Sequence, residues 1–279
     1  MTLLEKMIAF TRIQGQTPTN YGKLHLNFIF AVLILCIVCV TLFKDTTDGG
    51  FRILIGVMFF AMLTGELIKQ IFYPLSIVDG QIIKDYDWAT FPFQLCSTPL
   101  YVLPLLILLP DCKVRDFAAA YIMGYGLLGG LAVYISPNAI FVSNMFLSCH
   151  SLVHHGLQIL TGVYTASYYR RRINTSFILG GVGIFVIMFA IANIINTVVY
   201  DAWIAKGILF EGDAFNMFYI SPRPGQRPMA FKKIYYAAPI AYIACYFLII
   251  TAGALILILA TKLWRELARR RTASRAAKR

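Results

Sequence analysis

Charge is scarce in this chain. Charged residues make up 14% of its 279 positions and hydrophobic residues 59%, with only 13 acids against 25 lysines and arginines. Too little polar surface is left to coat a soluble domain of this size, so the sequence reads as an integral membrane protein. Cysteines number six. Cys36, Cys39, Cys96, Cys149 and Cys245 lie in apolar windows and Cys112 at a turn expected on the cytoplasmic side, which excludes a secreted disulfide framework. Paired CxxC motifs, long-period repeats and an inverted repeat are all lacking, so nothing points to a zinc ribbon, a solenoid or an inverted-repeat transporter.

Apolar windows long enough for a hydrocarbon core of about 30 Å fall at Leu24–Phe43, Ile53–Tyr73, Phe91–Leu109, Phe117–Ile135, within Phe141–Tyr169, at Ser176–Tyr200 and at Ala237–Lys262. The expectation is an all-α, polytopic fold of seven transmembrane helices. A single transmembrane domain would cover residues 1–262 and a basic, flexible tail residues 263–279. The first window begins late and lacks a basic n-region and small-residue cleavage site, so it is read as a permanent span.

The formal charge of +12 is gathered at boundaries, in "YYRRR" at 168–172 and in "KLWRELARRRTASRAAKR" from Lys262. Short basic segments beside spans mark the cytoplasmic side. The C-terminus and the Arg172 loop are therefore expected inside and the N-terminus outside. Lys206, Arg223, Arg227, Lys232 and Lys233, in the outer loop 201–236, run against that bias. The tail is read as an orientation signal and an anchor for anionic lipid heads. No nucleic-acid partner is expected, because only Trp264 offers an aromatic group among the charges.

Polar side chains inside spans are costly and mark cavities. With helices rising 1.5 Å per residue, Cys96, His154 and His155 each fall roughly 8 Å below the outer boundary. Glu66, Lys69 and Gln70 lie in the outer half of the second span, Asn193 and Asn196 in that of the sixth. Together with Gln94 and His150 they outline an outward-facing polar pocket. Pro92, Pro99 and Pro104 would each remove a helical hydrogen bond beside it, and "GYGLLGG" at 124–130 offers a small-residue face for close helix packing.

The stretch "SCHSLVHHG" at 148–156 holds three of the four histidines. Three readings of it stand side by side. As a metal site, His150 and His154 are one turn apart on one face, and His25 or Glu66 would have to complete the set. Its HxxxHH pattern resembles one histidine box of membrane di-iron desaturases, but four histidines are too few for that family. As a nucleophilic site, Cys96 attacks an acyl carbonyl with His154 or His155 as base, Cys149 being the rival thiol, and Gln94, Asn193 or Asn196 donating to the oxyanion. As packing, the histidines hydrogen-bond across helices and Cys96 fills space.

Three segments, "FPFQLCSTPLYVLP" at 91–104, "HGLQILTGVY" at 155–164 and "NMFYISPRP" at 216–224, resemble the bacterial YwaF-like integral membrane proteins, related to the transmembrane protein 164 acyltransferases. Met217 stands where that family usually has tyrosine. The resemblance implies a seven-helix protein of the bacterial plasma membrane that moves a fatty acyl chain between phospholipids. It carries over Cys96 as nucleophile and His155 as base, with His154 the alternative base, and requires neither cofactor nor metal. A more distant likeness to the androgen-induced lipid hydrolases makes water a possible acceptor. The alternatives are a non-enzymatic lipid- or solute-binding protein, transporter or sensor, and a metal-dependent membrane hydrolase.

Overall fold

A computed structural model describes residues 1–43, 45–223, 226, 228 and 231–276, with side chains to Arg270. Arg227 and the last three residues of the tail lie outside the described residues. A short helix α1 (Leu3–Thr11) precedes α2 (Lys23–Leu42) and α3 (Asp48–Phe72). The antiparallel hairpin β1 (Leu75–Val78) and β2 (Gln81–Lys84) follows, with Val78 paired to Gln81 at the turn. Then come α4 (Pro99–Leu108), α5 (Lys113–Ile135) and α6 (Met145–Tyr169). The chain ends with α7 (Thr175–Ala205), the one-and-a-half-turn α8 (Lys232–Ala237) and α9 (Pro239–Ala276).

Five of these, α2, α3, α5, α7 and α9, are long and apolar enough to cross a membrane, which makes the chain an all-α, multi-pass membrane protein. Two windows behave differently from expectation. Helix α6 has the length for a span, 25 residues, but its histidines and Gln158 are turned into the bundle. The window at 91–109 is helical only from Pro99 to Leu108. Pro92 cannot donate a helical hydrogen bond, and Pro99 takes the first helical position, where a missing N–H costs nothing. Residues 91–98 are therefore a series of turns, and Cys96 sits just before a helix rather than a turn and a half inside one.

The helices alternate direction, so their ends form two layers. At one end Arg115, 1% exposed, forms an ion pair with Asp48 at 2.6 Å and donates to the Leu106 carbonyl at 3.1 Å. Arg172 binds Asp111 and, at 3.1 Å, Asp116, joining the α6–α7 and α4–α5 turns. Its guanidinium holds the Asp111 carboxyl below the ordinary carboxylate range. Arg265 of α9 donates to the Arg170 carbonyl at 3.1 Å, and α9 continues without a break through the basic segment to Ala276. Leu, Arg, Glu and Ala are strong helix formers, which accounts for the helical tail.

The other end holds the turns at 91–98, the hairpin and the starts of α2, α6 and α9. Helix α1 belongs here, because Met145 N–H donates to the Ile13 carbonyl and Gly15 N–H to the Ser143 carbonyl, both at 2.9 Å. Packing across the middle is close where glycines allow it. A Cβ on Gly130 of α5 would stand 2.9 Å from the His155 carbonyl oxygen, and one on Gly162 of α6 would stand 2.7 Å from Leu127 Cβ. These contacts press α5 onto the histidine-bearing half of α6, as the small-residue face at 124–130 leads one to expect. Just before a π-helical turn at Ile122–Gly126 stands Tyr121, whose hydroxyl bonds Thr98 at the start of α4.

Candidate functional site

Helix α6 begins with Asn144, which accepts from Leu147 N–H at 3.0 Å and caps the first turn. From there His150, His154 and Gln158 follow at intervals of four and so share one face. His154 Nε2–H donates to the carbonyl of Cys96 at 3.0 Å, fixing the histidine helix against the cysteine turn. His155 Nδ1 faces the Ser151 carbonyl at 2.7 Å. A carbonyl can only accept, so Nδ1 carries the proton and Nε2 keeps its lone pair. Among the described residues that Nε2 is buried without a partner.

The last turns of α3 complete this end. Lys69 Nζ lies 2.9 Å from Glu66 Oε1, and the Gln70 amide donates to the same oxygen at 2.8 Å and to the Thr90 carbonyl at 2.7 Å. Tyr86 donates in turn to Gln70 Oε1. Glu66 Oε2 is left facing His150 Nε2 at 3.7 Å. Glu66, Lys69, His150, His154, His155 and Cys96 thus come together from three segments. Glu66, His154 and His155 are buried, with exposures of 4–5%. Cys149 is a half-buried neighbour on α6. His25 belongs elsewhere, accepting from Tyr21 N–H at 3.0 Å and packing against Tyr134 and Phe141.

Gln94 and Asn196 are engaged with backbone. Asn196 accepts from Met217 N–H at 2.7 Å and donates to the Met217 carbonyl at 2.9 Å. Gln94 donates to the Asn216 carbonyl at 2.8 Å and accepts from Phe218 N–H at 2.9 Å. They hold Phe218 and Tyr219, two successive residues with φ of 56° and 58°, a left-handed conformation that costs bulky residues on the order of 1–3 kcal/mol each. Asn193 bonds back to the Phe189 carbonyl of its own helix at 3.0 Å. Asn196→Leu would orphan two groups of the buried Met217, each worth about 1–3 kcal/mol. Thermal unfolding in detergent should register a loss of roughly 2–4 kcal/mol; a change within about 0.5 kcal/mol, typical of inert surface sites, would contradict the clamp.

Gln158 escaped the sequence reading. It is fully buried, and among the described residues neither atom of its amide has a hydrogen-bond partner. A Cβ built on Gly129 would lie 3.2 Å from Gln158 Nε2 and 3.8 Å from Cys96 Cα, so the amide borders the cysteine turn. The signal was present in the four-residue interval from His154.

A family model described as the TMEM164 family matches residues 20–273. That range takes in every residue of the cluster and leaves out α1. No curated protein and no solved structure matches the chain.

Proposed function

The chain belongs to the TMEM164 family, and from that premise we propose that it is a membrane-embedded lipid acyltransferase with Cys96 as nucleophile and His155 as base. The 3.0 Å hydrogen bond from His154 to the Cys96 carbonyl carries this reading, since it anchors the histidine helix at the cysteine. The unpartnered Nε2 of His155 is in the tautomer a base needs. Cys96 stands in the turn three residues before the start of α4.

In the first half-reaction Cys96 Sγ attacks the ester carbonyl carbon of a phospholipid while the thiol proton passes to His155 Nε2. The S–C bond forms, the C–O ester bond breaks, and His155 returns the proton to the departing lysolipid alkoxide. In the second, a lysolipid hydroxyl attacks the thioester and gives its proton to His155. The thiolate leaves and recovers that proton. Water in place of the lysolipid would make the protein a hydrolase. With the basic end of α9 on the cytoplasmic side, resting on anionic lipid heads, the site faces the outer leaflet and the N-terminus lies outside.

Gln158 supplies the amide donor that the tetrahedral oxyanion requires. Gln158→Leu keeps the volume and removes the donor, so acyl transfer in proteoliposomes should fall by about 10²–10³. Stability should hold or rise, because a buried amide without partners gives way to an apolar group. Full activity in a Gln158→Leu protein would remove Gln158 from this role.

A further inference from the structure

Glu66, His150 and His154 make a second constellation whose argument does not depend on thioester chemistry. Each offers one ligand atom, and the three atoms lie within 4.8 Å of one another. Two donors about 2.1 Å from a tetrahedral ion stand about 3.4 Å apart. The 3.7 Å between Glu66 Oε2 and His150 Nε2 is near that spacing and too long for a hydrogen bond.

The burial and partners of these groups point the same way. Side-chain exposure is 6% for Glu66 and 9% for His150, and His154 is 4% exposed. Among the described residues, His150 Nε2 and His154 Nδ1 are buried without hydrogen-bond partners. An orphaned polar atom at such a depth costs on the order of 1–3 kcal/mol, and two of them beside the free oxygen of a carboxylate form a donor set lacking its acceptor. Two of the three side chains are oriented from behind. His154 donates its other ring nitrogen to the Cys96 carbonyl at 3.0 Å, while Lys69 and Gln70 hold Glu66 by Oε1 at 2.9 and 2.8 Å. Such outer partners orient the ligands of built metal sites.

We propose that Glu66, His150 and His154 bind one divalent transition-metal ion, for which two imidazoles and one carboxylate favour zinc. His150 and His154 come from one face of α6 and Glu66 from α3, so the ion ties these helices together beside the cysteine turn. Three protein ligands leave a fourth position open. Lys69, a cation 2.9 Å from the carboxylate, weakens the site through repulsion.

The test uses untagged full-length protein in detergent, stripped with a chelator and then titrated with zinc or cobalt. Metal content after gel filtration and the visible spectrum of the cobalt form are the readouts, neither of which needs lipid turnover. Wild type should retain one zinc per chain and show the intense bands of four-coordinate cobalt. Glu66→Gln and His150→Gln should each bind at least about 100-fold more weakly, beyond the range of outer-partner changes. His25→Gln, outside the cluster, should bind as wild type does. The metal-free variants are compared by elution volume and melting temperature, so a folding failure is seen as such. Wild type that holds well under one zinc after loading would overturn the proposal. So would equal retention by the Glu66→Gln/His150→Gln double variant. Zinc binding by a Cys96→Ser protein that transfers no acyl group would sustain this site while leaving the thioester reading to its own tests.

Discussion

Cys96→Ser should abolish acyl transfer. In proteoliposomes carrying a labelled phospholipid, turnover is expected to fall by about 10³-fold or more, the scale on which loss of a nucleophile acts in covalent catalysis. The hydroxyl that replaces the thiol is far less ionised and a poorer nucleophile in the same setting. The fold should survive, because Cys96 is half-buried in a turn and lies outside the apolar core. Elution volume and melting temperature check that point, and undiminished turnover in a folded Cys96→Ser protein would place the chemistry elsewhere.

The second large effect is expected at His155. His155→Gln keeps a donor for the Ser151 carbonyl, which His155 Nδ1 faces at 2.7 Å, and removes the basic Nε2. Transfer should fall by about 10²–10⁴, the usual contribution of a general base. The rate left in the variant should climb with pH as the thiol ionises without help, whereas the wild-type rate should level off once its base is free. A variant that lost activity with an unchanged pH profile would show that His155 positions the site and does not move the proton. His154, whose Nε2 is committed to the Cys96 carbonyl, would then be the base to examine.

Much of the architecture was legible because bilayer thickness sets the length of an apolar run. The windows at 24–43, 53–73, 117–135, 176–200 and 237–262 all correspond to helices of spanning length. The third window departs from expectation for a physical reason. Residues 91–98 are as apolar as a helix, but Pro92 and Pro99 break the hydrogen-bond ladder, and hydropathy does not register that. The basic tail looked flexible by charge, yet its Leu, Glu, Ala and Arg continue α9.

The site was legible as a layer and less so as contacts. Depth counting grouped Glu66, Lys69, Cys96 and the histidines, and the structure brings these together. It gave the same weight to Gln94, Asn193 and Asn196. Their partners are backbone groups, and those of Gln94 lie more than 120 positions away along the chain. Spacing along one helix cannot reveal such pairings. Gln158 lies a turn deeper along α6 than the layer that depth counting marks, although the interval of four from His154 places it on the same face.

Intact mass spectrometry of the purified protein after incubation with phospholipid, with and without hydroxylamine, tests the central claim most directly. A fatty-acyl adduct that maps to Cys96, disappears with hydroxylamine and is missing from Cys96→Ser is the expected result. No adduct under conditions that trap a control acyl-enzyme, or an adduct at another cysteine, would contradict the assignment of Cys96 as the acyl-carrying nucleophile.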